Sequence, residues 1–294
     1  MSLSREMLQV ARLSPKALGD AAPLVAGYVH SLATDDGGFA NRGSNSDLYY
    51  TSFATSALVA LQEPLPVEGL CRYLQQFGAG EQLDLVHRSC LARVWSLLPR
   101  TSRPPLDIDG VLADVEQMRT PDGGYSAISK AKRGTLYGCF LALGVYQDLE
   151  TLVPNPEGII DCIDSLKTPD GGYANSDDLP VGLTPTSSAA AALLRQLGSP
   201  ADSRLAEWLA SRFHPQGGFL ATPDAPMPDL LSTATALHAL SSLHVNLAAF
   251  REPCLDFVDT LWTARGGFYG TWEDDHLDCE YTFYGLLALG HLSV

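Results

Sequence analysis

The segment Ile163-Asp-Ser-Leu-Lys-Thr-Pro-Asp-Gly-Gly-Tyr173 decides the fold. It ends a helical pattern with a turn whose chemistry is explicit: proline presets φ, and glycine accepts a positive φ at no steric cost. The aromatic after the glycines is then free to pack back over the turn. The same step stands at Gly37-Gly38-Phe39, Gly123-Gly124-Tyr125, Gly217-Gly218-Phe219 and Gly266-Gly267-Phe268. In chain order the first glycines are 86, 48, 46 and 49 residues apart, and 86 is about twice 43. A degenerate copy, Gly78-Ala79-Gly80, fills the doubled interval. The chain is therefore six units of roughly 41 to 49 residues, a period that denotes a repeat array.

After each turn comes a short polar loop and a segment rich in Ala and Leu, such as Thr51–Leu61, Thr186–Leu194 and Tyr281–Leu289. These segments are apolar on nearly all sides, as buried helices are, whereas the first helix of each unit carries more charge. Six buried helices inside six amphipathic ones close most simply as an all-α (α/α)6 toroid, with an open solenoid as the alternative. Residues 1–24 form a lead-in helix, and six repeats run from about 25 to 294 in a single domain. Hydrophobic residues make up 46% and charged residues 18%, enough for a large core. No run of apolar residues is long enough to span a membrane, and residues 1–30 lack a signal-peptide pattern. Six cysteines without paired spacing point to reduced thiols and a cytoplasmic setting. The net charge of −15 argues against a nucleic-acid partner, since no basic stripe is present to displace counterions from phosphates.

Gly-Gly-Phe/Tyr turns feeding Ala/Leu-rich inner helices resemble the β-subunits of protein prenyltransferases and the β-domains of class II terpene cyclases. The resemblance covers the chain from about residue 25 to Val294. It implies a site at one mouth of the ring, at the starts of the inner helices. Protein prenyltransferases hold zinc there with an Asp-x-Cys pair and a histidine. The matching stretch Asp229-Leu230-Leu231-Ser232 keeps the aspartate but has leucine for the cysteine, and the histidine position falls on or near Tyr281. The usual zinc site is therefore not expected. A shifted site from His276, Asp278 and Cys279 has the right ligand types, so zinc or magnesium stays open as a cofactor. The same residues also fit a solvated loop with Asp278 as helix cap.

Class II cyclases protonate an isoprenoid with an Asp-x-Asp-Asp motif. Asp229 keeps its first acid, and Asp278-Cys-Glu280 is a weaker echo with acids two apart. A carboxyl buried against an apolar cavity has a raised pKa and suits a general acid, which makes Asp278, Glu280 and Asp229 the catalytic candidates. Lys130, Lys132 and Arg133 precede an inner helix where the resemblance implies diphosphate binding, and a helix N-terminus would add to their charge. Tyr50, Trp95, Tyr137, Tyr281 and Tyr284 lie on inner helices as candidate walls for an apolar chain.

Three readings follow. One is an isoprenoid-handling enzyme of the prenyltransferase or terpene cyclase type, binding a prenyl diphosphate or terpenoid and, for protein prenylation, needing a helical α-subunit as partner. The second is a non-catalytic toroid that binds a lipid or protein partner. The third is a glycan-processing (α/α)6 enzyme, whose signature would be two acids facing each other across the mouth.

Overall fold

The computed structural model describes residues 2–199 and 201–294. Two short helices, α1 (Leu3–Ala11) and α2 (Pro15–Leu18), lead into six helix pairs. The outer members are α3 (Ala22–Ser31), α5 (Val67–Gln75), α7 (Ile108–Glu116), α9 (Pro156–Ser165), α11 (Ser203–Ala210) and α13 (Ala248–Leu261). The inner members are α4 (Leu48–Ala60), α6 (Leu85–Leu97), α8 (Leu136–Asp148), α10 (Thr184–Gln196), α12 (Leu230–Ser242) and α14 (Cys279–Leu292). Each inner helix packs on the next, and α14 returns to α4, so the array is a closed ring rather than an open solenoid.

The turn glycines explain the closure. An added Cβ on Gly37 would lie 2.1 Å from the Gly69 carbonyl on α5, on Gly123 2.6 Å from Gly158 on α9, and on Gly217 2.0 Å from the Pro253 carbonyl on α13. On Gly266 it would lie 2.2 Å from the Leu24 carbonyl on α3. These four turns thus press their bare backbone against the outer helix of the following unit, and the sixth presses on the first. The aromatic then tucks inward and is fully buried, as Phe39, Tyr125, Phe219 and Phe268 show. At three of the turns its N–H is satisfied by a hydroxyl of its own inner helix: Phe39 to Thr51 at 2.9 Å, Tyr173 to Ser187 at 2.8 Å and Phe219 to Thr233 at 2.9 Å. The motif is therefore one device that joins a turn, its own inner helix and the next outer helix.

The expected lead-in helix over 1–24 is broken in two, and residues 22–24 already belong to α3. Pro15 starts a new helix at Ser14, and Gly19 leaves the helical region at φ +52°. This break lets α1 turn under the ring. It packs on α4, α8, α10 and α14, and bridges the sparsest inner seam, between α8 and α10. The Leu3 N–H donates to Gln147 at 2.8 Å and the Ser4 hydroxyl to Asp148 at 2.5 Å. Glu6 accepts from Gln196 at 2.8 Å and pairs with Arg195. Leu3 and Met7 of α1 form the floor of the space enclosed by the ring.

Candidate functional site

Five of the six inner helices begin with a polar side chain that caps the first turn. Asp47 accepts from Tyr49 N–H at 2.8 Å, Asp84 from His87 at 2.9 Å, and Thr135 from Gly138 at 3.0 Å. Asp229 accepts from Ser232 at 2.7 Å and Asp278 from Tyr281 at 2.8 Å. These caps set a common phase. The second residue of every inner helix (Tyr49, Val86, Tyr137, Pro185, Leu231, Glu280) faces one central cavity of about 310 Å³. A helical turn deeper come Phe53, Phe140, Phe283 and Tyr284, and a further turn down come Arg93 and His238 above the α1 floor. The volume lies at the lower end of the range for small-molecule sites, and the wall is mostly apolar with a few convergent polar groups.

Phe53 is the hub of the aromatic wall, with ring centroids 5.0 Å from Tyr49, 5.9 Å from Phe283 and 5.6 Å from Tyr284. Beside it, Glu280 is the one carboxyl that lines the cavity among the described residues. The Tyr49 hydroxyl donates to Glu280 Oε1 at 2.7 Å. Burial pushes the Glu280 carboxyl above its ordinary value; the Tyr49 bond opposes this, and the nearby Asp278 charge reinforces it. Burial also raises the Tyr49 and Tyr284 phenols and takes Tyr137 up to about 12, so all three remain neutral donors.

Among the residues expected from sequence, Glu280, Tyr137 and Tyr284 line the cavity. The other acids serve elsewhere. Asp229 and Asp278 are N-caps in the series just described, and neither lines the cavity. Asp278 is buried and also takes Arg42 Nε at 2.7 Å, which ties the last unit to the first. Tyr50 and Tyr281 follow the cavity-facing position by one residue, about 100° around the helix, and so turn away from it. Arg42 lies over the Tyr281 ring at 5.7 Å. Trp95 lies two residues past Arg93 and faces outward, its indole N–H donating to the Pro104 carbonyl at 2.8 Å under a stacked Arg103. Lys130, Lys132 and Arg133 are exposed on the loop before α8 and do not line the cavity; Arg133 pairs with Asp177 at 3.2 Å.

The metal set His276, Asp278 and Cys279 does not assemble, because the three occupy different environments. His276 is exposed, Asp278 caps α14 and pairs with Arg42, and Cys279 is buried with its S–H donating to the Tyr50 carbonyl at 3.1 Å. The group that does converge among the described residues is Asp274, Asp275 and His276 on an outer loop, with Asp274 held by Arg42 at 3.1 Å.

Sequence reasoning missed Arg93 and His238. Counting each inner helix from its cap would have found both, since they share the ninth position. His238 Nδ1 lies 3.0 Å from His291 Nε2 in a buried pair. Burial depresses both imidazoles, to about 4 and about 3, and the pair further depresses His291. An unfolded histidine takes its proton near pH 6.5, which the native pair refuses, so native stability falls as pH drops from about 6.5 toward 4. His238→Asn/His291→Asn is expected to flatten that acid limb in urea titrations at pH 7, 6 and 5. An unchanged slope would assign the acid sensitivity to other groups.

Three solved structures are similar to this chain over most of their length. Type II terpene cyclase MstE from Scytonema aligns at 14% identity and TM-score 0.61, covering 94% of this chain and 97% of that one. A polysaccharide lyase aligns at 14% and 0.58, covering 99% and 98%. Candida albicans protein geranylgeranyltransferase-I, solved with GGPP, aligns at 14% and 0.55, covering 83% of each. At such identities the likeness speaks for the fold, and the fold hosts more than one chemistry. No curated protein matches the sequence. The prenyltransferase alpha-alpha toroid domain model matches residues 25–213 and 186–293. With six repeat units, five of them bearing the Gly-Gly-aromatic turn, closed into a ring of inner and outer helices, the chain belongs to the prenyltransferase alpha-alpha toroid family.

Proposed function

We propose that the chain is an isoprenoid-processing enzyme that binds a terpenoid chain in the central cavity and acts on it by proton donation from Glu280. One observation carries this reading: the sole carboxyl on the cavity wall among the described residues stands in an aromatic box, its pKa raised by burial, with a phenol in place to steady the anion. The proton passes from Glu280 to the less substituted carbon of a trisubstituted alkene, whose π pair forms the new C–H bond and leaves a tertiary cation. Tyr49 holds the carboxylate that remains. The faces of Phe53, Phe140, Phe283 and Tyr284 stabilise the cation by their quadrupoles, about 0.5–2 kcal/mol each. A second double bond of the same chain attacks the cation, the product cation loses a C–H proton to water, and Glu280 is reprotonated from solvent, so the net change is an isomerisation to a ring.

This route needs no acceptor protein and no α-subunit, which protein prenylation would. The wall gives it preference over the glycan reading, whose two opposed acids find a single carboxyl here. The test is incubation with linear isoprenoid alcohols and acids, with and without zinc or magnesium, followed by gas chromatography with mass detection. Cyclised product without added metal is expected. Absence of both product and calorimetric binding across the series would overturn the reading and return the toroid to the binding-module class.

A further inference from the structure

The floor of the cavity holds a cation that the acid chemistry above does not use. Arg93 stands at the ninth position of α6, lines the cavity, and is largely buried, with its side chain 17% exposed. Its Nε has no hydrogen-bond partner, and no hydrogen bond among the described residues reaches the rest of its guanidinium. Its nearest counter-charge is Asp148 Oδ2 at 4.0 Å, beyond hydrogen-bond reach. Asp148 Oδ1 accepts from Ser4 of the floor helix, and Oδ2 faces Arg93 as a long ion pair without a hydrogen bond, so the guanidinium keeps its donors unused. Buried donors are as a rule hydrogen-bonded, so a cavity-lining guanidinium with none has capacity for an acceptor from outside the chain.

We infer that Arg93 is the anchor for a carboxylate at one end of the ligand, so that an isoprenoid acid enters carboxylate-first and presents its distal alkene to Glu280. The inference rests on the isoprenoid reading and adds the ligand's polar end and its direction. A carboxylate fits because the guanidinium fork matches it bidentately and one cation is all the floor supplies. His238 is kept neutral by burial. A diphosphate would bring more charge than a single arginine, partly offset by Asp148, can balance. The length follows from the helices: Glu280 and Arg93 occupy second and ninth positions, seven residues and roughly 10 Å apart along the axis at 1.5 Å per residue. Two or three isoprene units span that distance, with Leu3 and Met7 closing the end.

The experiment is calorimetric titration of the full chain with farnesoic acid, farnesol and farnesyl diphosphate, using wild type, R93Q and R93K, with circular dichroism confirming that each variant is folded. A hydrogen bond to a charged group contributes about 1.5–3 kcal/mol, which is roughly 10- to 100-fold in affinity. Wild type should bind the acid tighter than the alcohol by about that factor. R93Q should erase the difference while leaving farnesol within a few-fold, and R93K should restore part of it. Equal binding of acid and alcohol by wild type would overturn the floor assignment even if no variant folds. So would farnesyl diphosphate that outbinds the acid and is indifferent to R93Q, since the anion would then sit at the rim. In both cases the isoprenoid reading survives. Failure of all three ligands to bind wild type would remove that reading, and this inference with it.

Discussion

Glu280→Gln is expected to lower turnover of a linear isoprenoid by about 10²- to 10⁴-fold, the range general acids contribute, while changing ligand affinity little. The amide keeps the shape of the carboxyl and can still accept the Tyr49 hydroxyl, so the loss is confined to the proton. The same variant carries an opposite effect on stability. Burial raises the native carboxyl above its ordinary 4.5, so the native state binds more protons than the unfolded state across that window. Stability therefore declines as pH rises from the unfolded value through the native one, and glutamine escapes the decline. Urea midpoints should be higher for the variant than for wild type at pH 7 and should converge with it near pH 4. The wild-type rate should likewise fall as pH climbs and Glu280 gives up its proton. Full activity in E280Q would assign the proton to another donor; lost activity with lost stability at pH 7 would make Glu280 a structural residue.

The largest stability effect is expected at a turn. Gly217 has φ +96°, and an added Cβ would lie 2.0 Å from the Pro253 carbonyl and 3.0 Å from Phe257 Cβ. Backbone strain of about 1–2 kcal/mol adds to overpacking of about 1–3 kcal/mol, because neither partner is the free end of a flexible side chain. Gly217→Ala should therefore cost about 2–5 kcal/mol in a urea titration. Gly27→Ala is the control, lying inside α3 with nothing within 4 Å of the added atom and no positive φ. It should stabilise by about 0.5–1 kcal/mol through helix propensity. Equal effects at the two sites would mean that the turns do not hold the units together.

The fold was legible because its signal is repeated. A single Gly-Gly-Tyr is a turn, but five in phase specify where each helix stops, where the aromatic goes and how the next unit must approach. The site was less legible because its signal is one of phase. Tyr49 and Tyr50 are equivalent as letters, yet a rotation of about 100° places one in the cavity and the other behind it. Asp229, Asp278 and Glu280 are alike as acids, and only the recurrence of caps at Asp47, Asp84 and Thr135 separates the two structural carboxylates from the cavity carboxyl. Lys130, Lys132 and Arg133 were conspicuous as charges against an acidic chain, whereas Arg93 shares its helix with His87 and Arg88 and only its phase puts it on the cavity. Linear proximity favours clusters; a cavity is assembled from single residues one helix apart.

Because the sixth turn rests on α3 and Arg42 reaches across 236 residues to Asp278, the number of units in this protein is fixed in a way that an open array's is not. A solenoid can gain or shed a repeat at little cost, since each unit answers only to its neighbours. Here a seventh unit would have to widen the circle, and a fifth would shrink it. Either would part the walls from whatever they enclose and lift α1 from its seat. Substitutions that leave this ring closed are thereby confined to the rim loops and the inward-facing letters of the inner helices, where chemistry can change while the circle is kept.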